Sequence, residues 1–136
     1  MPFTTLGFSP ALFPPLLRAI SAKGFTAPTA VQSAAIPAFL QGRDVLCSAP
    51  TGSGKTAAYA LPLLHQIIER PARLAGKTQV LVLVPTRELA VQVGEAFVSF
   101  AAYLPQRIKV AVVFGGVSIN PQMMNLRGGT DVVVAT

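Results

Sequence analysis

The sequence is poor in the residues that cross-link chains or ligate metals. It contains one cysteine, Cys47, and one histidine, His65, among 136 residues. A single thiol excludes an internal disulfide framework and is typical of a reducing compartment. Cys47 lies in an apolar segment, so we expect a buried, inert thiol. His65 has no second histidine or cysteine near it in the sequence, so we interpret it as a structural residue.

Charged residues are also scarce, at 12% of the chain, with 11 Lys and Arg against 5 Asp and Glu. The net charge of +6 suits a polyanionic partner such as nucleic acid, but the basic residues are scattered singly from Arg18 to Arg127. No basic segment precedes Arg18 and no apolar run is long enough to span a bilayer. We therefore expect one globular domain, no membrane attachment and a cytoplasmic location.

The most informative segment is glycine-rich. Residues 49–56 read Ala-Pro-Thr-Gly-Ser-Gly-Lys-Thr, after an apolar run at 44–48 that predicts a buried strand and before a predicted helix. Strand, glycine-rich loop and helix are typical of a phosphate-binding loop, whose backbone N–H groups face phosphate oxygens. Lys55 would add a positive charge for the outer phosphates, and Thr56 a hydroxyl for Mg²⁺. A chance glycine-rich turn is the alternative, which the flanking elements disfavour.

Apolar runs and helical segments alternate along the rest of the chain. We predict helices at about 15–22, after the cap Thr29, from Lys55 toward Arg70, from the cap Thr86 to about 103, and from Asn120 to near 128. Further strands are predicted at 79–84, with both faces buried, at 109–114 and at 131–134. Residues 70–77 read as a polar loop. This order predicts an α/β fold with a parallel sheet, whose sites lie at the carboxyl ends of the strands.

These motifs, in this order, resemble the DEAD-box RNA helicases over the whole chain. Residues 24–32 resemble the family's adenine-reading Q motif, with Phe8 as its upstream aromatic companion. Residues 49–56 resemble its phosphate loop, including the alanine at the first position, and residues 85–90 the next signature. Residues 115–116 resemble its double-glycine element, and 134–136 the start of a further motif. Residues 114–124 are especially similar to the bacterial RhlE subgroup.

The resemblance implies a RecA-like P-loop NTPase domain that uses ATP and Mg²⁺ and binds the RNA backbone largely independently of sequence. Lys55 and Thr56 would be catalytic, with Thr56 also at the metal, and Gln32 would pair with adenine. The alternative for Gln32 is a surface glutamine on a helix, and the alternative for Phe8 is a core phenylalanine. The implied cofactor-binding residues are Phe8, Phe25, Thr26, Gln32, Ala49, Thr51, Gly52, Ser53, Gly54, Lys55 and Thr56. The implied RNA-binding residues are Pro85, Thr86, Arg87, Gly115, Gly116 and Thr136. Ribosome-assembly or RNA-decay partners are possible for the parent protein.

The sequence departs from the family by what it does not contain. The Asp-Glu-Ala-Asp segment, the Ser-Ala-Thr segment and the second RecA-like domain are missing, so we expect a truncated first domain. Residues 1–43 would form its Q-motif region and residues 44–136 its P-loop αβ units. We expect no appreciable ATP hydrolysis or unwinding by this chain alone. We also expect a gap in the sheet beside the phosphate-loop strand, with apolar edges exposed. A small P-loop kinase and a non-catalytic nucleotide- or RNA-binding module are the alternatives.

Overall fold

The computed structural model describes residues 2–70 and 77–136, so most of the predicted polar loop at 70–77 lies outside the described residues. A short 3-10 helix at Phe3–Thr5 precedes the other elements. The helices and strands, in chain order, are α1 (Phe13–Ala22), α2 (Ala30–Leu40), α3 (Lys55–Glu69), β1 (Val80–Leu83), α4 (Arg87–Ala101), β2 (Val110–Val113), α5 (Ile119–Leu126) and β3 (Val132–Ala135). The alternation predicted from the sequence is confirmed from α3 onward.

The three strands form one parallel sheet in the order β1-β3-β2. Val82 of β1 and Val112 of β2 both pair with Val134 of β3, so the last strand in the chain is central. Val132 and Val134 are fully buried there. As a result, the residues that follow β1, β2 and β3 emerge at the same edge of the sheet.

The predicted strand at 44–48 is not formed. These residues have no assigned secondary structure, Leu46 is fully exposed and Cys47 is an exposed thiol, so the prediction of a buried cysteine was wrong. The prediction that β1 is buried on both faces was also wrong, because Leu81 and Leu83 are 62% and 71% exposed. A strand needs a neighbour to satisfy its backbone, and no described strand lies between 44–48 and β1. The expected exposed apolar edge is present at β1, but the strand beside which the gap was predicted is not itself formed.

Local capping determines where the central helices begin. The Thr29 side chain accepts from the backbone N–H of Gln32, and the Gln32 side chain accepts from that of Thr29, which together form a capping box for α2. Thr86 Oγ1 accepts from the backbone N–H of Leu89 at 3.2 Å and caps α4. Pro37 lies inside α2 and Pro62 inside α3 without ending either helix.

Helix packing connects the N-terminal region to the sheet. The Gln66 carboxamide on α3 donates to the carbonyl of Phe39 near the end of α2 at 2.8 Å. The rings of Tyr59 on α3 and Phe97 on α4 lie 6.2 Å apart. Gly94 of α4 faces the side chain of Val112 so closely that a Cβ atom would overlap its Cγ2 atom. The glycine therefore lets α4 approach β2 directly, which sets the distance between the α4 N-terminus and the end of β2.

Candidate functional site

The glycine-rich loop has the backbone that a phosphate cradle requires. Gly52 and Gly54 have φ angles of +75° and +87°, a region that side chains disfavour, and Gly54 is the residue preceding α3. The hydroxyl of Ser53 is buried and has no hydrogen-bond partner. Orphaned polar atoms of this kind are uncommon in proteins, and an oxygen-rich ligand in the loop would satisfy this one. The loop therefore fits the phosphates that the sequence predicts.

Lys55 is held by the loop's own backbone. Its Nζ atom donates to the carbonyl oxygens of Ala49 and Pro50, the latter at 2.7 Å. An ammonium group strongly prefers such oxygen acceptors when it is partly removed from water. The charge predicted for the outer phosphates is thus present at the loop, but it must leave these two carbonyls to reach a ligand.

Gln32 connects the Q-motif region to the loop. It is fully buried, its Oε1 accepts from the backbone N–H of Thr29 at 3.1 Å, and its Nε2 donates to the carbonyl of Gly54 at 3.3 Å. This burial excludes the alternative of a surface glutamine. One N–H and one lone pair of the carboxamide remain unused, which is what a bidentate contact with adenine needs. The contact itself stays a prediction, since a base reaches a buried carboxamide only after local movement.

The N-terminal aromatic residues occupy the core. Phe8 is 8% exposed, and its ring meets that of His65 on α3 edge to face, with 5.5 Å between centroids. Phe25 packs against the core, and Thr26 is exposed. A ring as buried as Phe8 offers little surface for stacking on a base. The alternative of a core phenylalanine therefore describes its place in this structure.

His65 has a structural role in fastening the N-terminal segment. Its Nε2 accepts from the backbone N–H of Ser9 at 2.9 Å, while the Ser9 hydroxyl donates to Glu69 at 2.7 Å. Burial lowers the pKa of His65 below its ordinary 6.5, and the charge of Glu69 partly opposes that shift. Among the described residues, no group of three or more His, Cys, Asp and Glu side chains could hold a metal ion.

Thr56, the predicted Mg²⁺ ligand, lies one turn before Tyr59 on α3. Burial raises the pKa of the Tyr59 phenol, and the Thr56 hydroxyl beside it lowers that pKa by less. Spacing of three residues on a predicted helix indicates this proximity.

An apolar cleft of about 430 Å³ lies beside the glycine-rich loop. Its lining includes Lys55 and Thr56 of the loop, Val45 and Leu46 from the segment before it, and Val84 and Leu89 from the segment after β1. The cleft lies where the resemblance places strands from later in the chain. Lys55 and Thr56 of the loop therefore share one cleft with Val84, the residue that directly follows β1.

A second, polar pocket of about 490 Å³ lies at the edge where the strands end. Its lining consists of Pro85, Thr86, Arg87, Glu88, Gly115 and Thr136. The Arg87 guanidinium lies against Gly116, whose φ is +78°. The backbone N–H of Thr136 donates to the carbonyl of Val113 at 3.3 Å, which keeps the ends of β3 and β2 together. Every residue predicted to contact a phosphate backbone therefore lines this pocket or adjoins it.

The donors around this pocket suit phosphate oxygens. The Thr86 hydroxyl already accepts the cap bond from Leu89, so its proton is free to be donated. The N-terminus of α4 begins at Arg87 and adds the positive end of the helix dipole. Arg87 itself is exposed. Guanidinium, hydroxyl and backbone donors together recognise phosphates without reading bases.

Known proteins resemble this chain in sequence. A profile of the DEAD/DEAH box helicase family matches residues 29–136. The ATP-dependent RNA helicase SrmB of Escherichia coli K12 is 47% identical over 121 residues, which cover 89% of this chain and 27% of that protein. The ATP-dependent RNA helicase DeaD of Mycobacterium tuberculosis CDC 1551 is 49% identical over 126 residues, or 92% of this chain and 21% of that protein. The chain thus spans about a quarter of the length of these relatives.

Solved structures have the same fold. A DEAD box protein from Methanococcus jannaschii matches with a TM-score of 0.80 and 36% identity, over 100% of this chain and 34% of that one. A hypothetical ATP-dependent RNA helicase from Sulfolobus tokodaii matches with a TM-score of 0.76 and 41% identity, over 90% of this chain and 33% of that one. The fold predicted from the sequence, a truncated RecA-like domain with a helix-flanked parallel sheet, is confirmed. The RhlE subgroup stays a prediction.

Proposed function

This chain belongs to the DEAD/DEAH box helicase family, and from that premise we propose that it is the ATP- and RNA-binding N-terminal part of an ATP-dependent RNA helicase. Local separation of RNA duplexes would be the activity of the whole protein, in a cytoplasmic location. Ribosome-assembly or RNA-decay partners belong to the same proposal. Within the described residues no helix is both long and apolar enough to cross a membrane.

The proposed nucleotide site is the loop at residues 51–56. Its left-handed glycines and the orphaned Ser53 hydroxyl support phosphate binding. Lys55 would exchange its bonds with the Ala49 and Pro50 carbonyls for the outer phosphates, and Thr56 would contribute its hydroxyl to Mg²⁺. ATP supplies the phosphoanhydride bond whose hydrolysis drives the helicase cycle. Phosphoryl transfer also needs a positioned water and charge stabilisation that these residues alone do not provide.

The proposed RNA site is the polar pocket at the carboxyl ends of the strands. The single observation that carries it is the convergence of Arg87, Thr86, Gly116 and Thr136, which come from three separate segments of the chain. Parallel strands bring such segments to one edge only when the sheet has formed, so the convergence is a property of the tertiary structure. Contacts to phosphate alone would hold RNA of any sequence.

Arg87→Ala tests the RNA site, with Arg18→Ala on the exposed face of α1 as the matched loss of one positive charge. Affinities for single-stranded RNAs of different sequence should be measured by fluorescence anisotropy over a range of salt concentrations. Loss of Arg87 should weaken all of them about equally and reduce the salt slope by about 1. Loss of Arg18 should leave the slope nearer that of wild type. Equal effects of the two variants, or a loss confined to one RNA sequence, would contradict the proposed site.

A further inference from the structure

Gln122, on α5, makes a two-bond contact with the backbone just after β2. The backbone N–H of Phe114 donates to Gln122 Oε1 at 2.8 Å, and Gln122 Nε2 donates to the carbonyl of Phe114 at 3.0 Å. Nε2 also lies 3.3 Å from the carbonyl of Ser118, one turn earlier. A carboxamide presents one donor and one acceptor side by side, as a peptide group does. Gln122 therefore acts on Phe114 as a neighbouring strand would.

The position of this contact follows from the sheet. The carbonyl of Val113 faces β3, where it accepts from Thr136. Successive residues of a strand direct their backbone groups to opposite sides, so the N–H and carbonyl of Phe114 face away from β3. In the described part of the chain β2 has β3 as its one neighbour. Gln122 thus satisfies two edge groups that would otherwise lack a partner in the sheet.

Two glycines follow Phe114, and glycine residues by themselves do not restrict the backbone to one conformation. Gly115 has no atom within 4 Å of a built Cβ position, and Gly116 has a positive φ. Glycine imposes the weakest conformational preference of any residue, so the path of this loop depends on how its ends are fixed. Phe114 is the last residue before the loop, and both of its backbone groups are held by Gln122. Gly116 must lie where the Arg87 guanidinium can pack against it.

We propose that Gln122 is a positioning residue for RNA binding: by holding Phe114 it directs the Gly115-Gly116 loop toward Arg87. This inference rests on the proposed RNA site. Gln122 does not need to touch the RNA, because its effect passes through the loop backbone. The opposing explanation is that Gln122 only fastens α5, a helix with no buried residue, to the sheet. That explanation predicts a change in stability without a change in the RNA affinity of the folded protein.

Gln122→Glu separates the two explanations through pH. A protonated carboxyl retains a donor and an acceptor, but a carboxylate only accepts and faces the carbonyl oxygen of Phe114. The affinity of each variant for a single-stranded RNA should be measured between pH 4 and 8 at constant ionic strength and expressed relative to wild type at the same pH, because an ordinary glutamate protonates at about pH 4.3. Gln122→Glu should bind about threefold to tenfold more weakly at pH 8, the range that one net hydrogen bond accounts for, and recover as pH falls. Gln122→Ala should be weakened at every pH.

Asn125→Asp is the matched control, because it adds the same negative charge on the exposed part of the same helix. It should bind RNA within about twofold of wild type, with no recovery at low pH, since a single exposed charge contributes little. The backbone amide of Gly116, followed by nitrogen–proton NMR without RNA, should shift with pH in Gln122→Glu and remain steady in Asn125→Asp. This NMR measurement applies even if the chain binds RNA by another surface.

Three results would overturn the inference. The first is wild-type RNA affinity in folded Gln122→Ala and Gln122→Glu while Arg87→Ala is impaired. The second is an equal loss in Asn125→Asp and Gln122→Glu. The third is a Gly116 amide unaffected by either substitution of Gln122. If instead the Gly116 amide responds to Gln122 but Arg87→Ala binds RNA normally, the positioning is supported and the proposed RNA site fails.

Discussion

The guanidinium of Arg87 packs against the backbone of Gly116. A Cβ atom at Gly116 would lie 3.0 Å from Nη2 of Arg87 and 3.1 Å from both Cζ and Nη1. These separations are shorter than ordinary contacts between carbon and nitrogen atoms, so any larger residue would displace the guanidinium. Glycine at position 116 therefore meets two requirements: it leaves space for the Arg87 guanidinium, and it adopts the positive φ of the turn.

Gly116→Ala should weaken RNA binding through both effects. An alanine at φ +78° costs about 1–2 kcal/mol of backbone strain, and its methyl group moves Arg87. Gly128→Ala is a close control, since its φ of +76° imposes similar backbone strain and a Cβ there meets nothing within 4 Å. RNA affinity and thermal unfolding should be measured for both variants. A loss of affinity in Gly128→Ala as large as in Gly116→Ala would show that contact with Arg87 is not the cause.

Gln32 is expected to act on both the loop and the base. Gln32→Ala removes the bond to the Gly54 carbonyl and one half of the capping box, so unfolding free energy should fall by about 1–3 kcal/mol. It should also lose roughly 1–3 kcal/mol of preference for ATP over GTP, the scale of a good bidentate contact. Calorimetric titration with both nucleotides and denaturant unfolding measure the two effects.

Gln32→Glu helps to separate these effects of Gln32. It keeps an acceptor for the Thr29 N–H but removes the donor to Gly54. Wild-type protein that binds GTP as tightly as ATP would exclude the adenine contact. The link between α2 and the phosphate loop would remain, and its contribution would still appear in the unfolding measurement.

Lys55→Ala should weaken binding of triphosphate much more than binding of adenosine. The substitution removes a charge-assisted contact of about 1.5–3 kcal/mol, and that contact faces only the outer phosphates. Calorimetry with ATP and with adenosine gives the comparison, and Lys23→Ala, at an exposed position after α1, controls for net charge. Parallel losses for ATP and adenosine would mean that Lys55 supports the loop through the Ala49 and Pro50 carbonyls instead of binding phosphate.

The stability of the fold should depend on the protonation of His65. Burial lowers its pKa in the folded state below the ordinary 6.5, so the unfolded chain binds a proton more readily. This contribution to stability is complete above pH 6.5 and is lost as pH falls below that value toward the folded-state pKa. Protonation also removes the acceptor of the Ser9 N–H. Denaturant unfolding at several pH values should show the decline.

His65→Gln provides the comparison for that measurement. A glutamine keeps an acceptor for Ser9 and does not titrate, so stability between pH 5 and 7 should be flatter than in wild type. The other charged group on the same helix face is Glu69, which is bonded to Ser9. An identical slope in the variant would assign the pH dependence to other groups, with Glu69 the first to be substituted.

Residues that act through their near neighbours in the chain were predictable. Thr29 and Thr86 cap helices by bonding three residues ahead, and Gly52 and Gly54 are required by the backbone of the loop itself. The order of helices and strands from Lys55 onward follows from the same local patterns. The roles of Lys55 at phosphate and of Thr56 at Mg²⁺ stay predictions, and the bonds of Lys55 to the Ala49 and Pro50 carbonyls were not foreseen.

The segment at 44–48 shows where local patterns stop being sufficient. Its apolar composition predicts a strand, but strand formation requires a partner for the backbone, and the sheet order β1-β3-β2 provides none beside it. Cys47 is exposed for the same reason. The burial of Gln32, likewise, depends on how closely α2 and the phosphate loop approach, which no spacing in the sequence specifies.

The sequence by itself determined the family, the alternating elements from Lys55 onward and the residue types at the two loops proposed to bind ligands, because caps, turns and periodicity act over a few neighbouring residues. Only the tertiary structure decided that Arg87 lies on Gly116, that Gln122 holds Phe114 and that Phe8 is buried against His65. These contacts join elements whose distance is set by side-chain packing and by the order of strands in the sheet. That order depends on long-range pairing, which local sequence patterns do not encode.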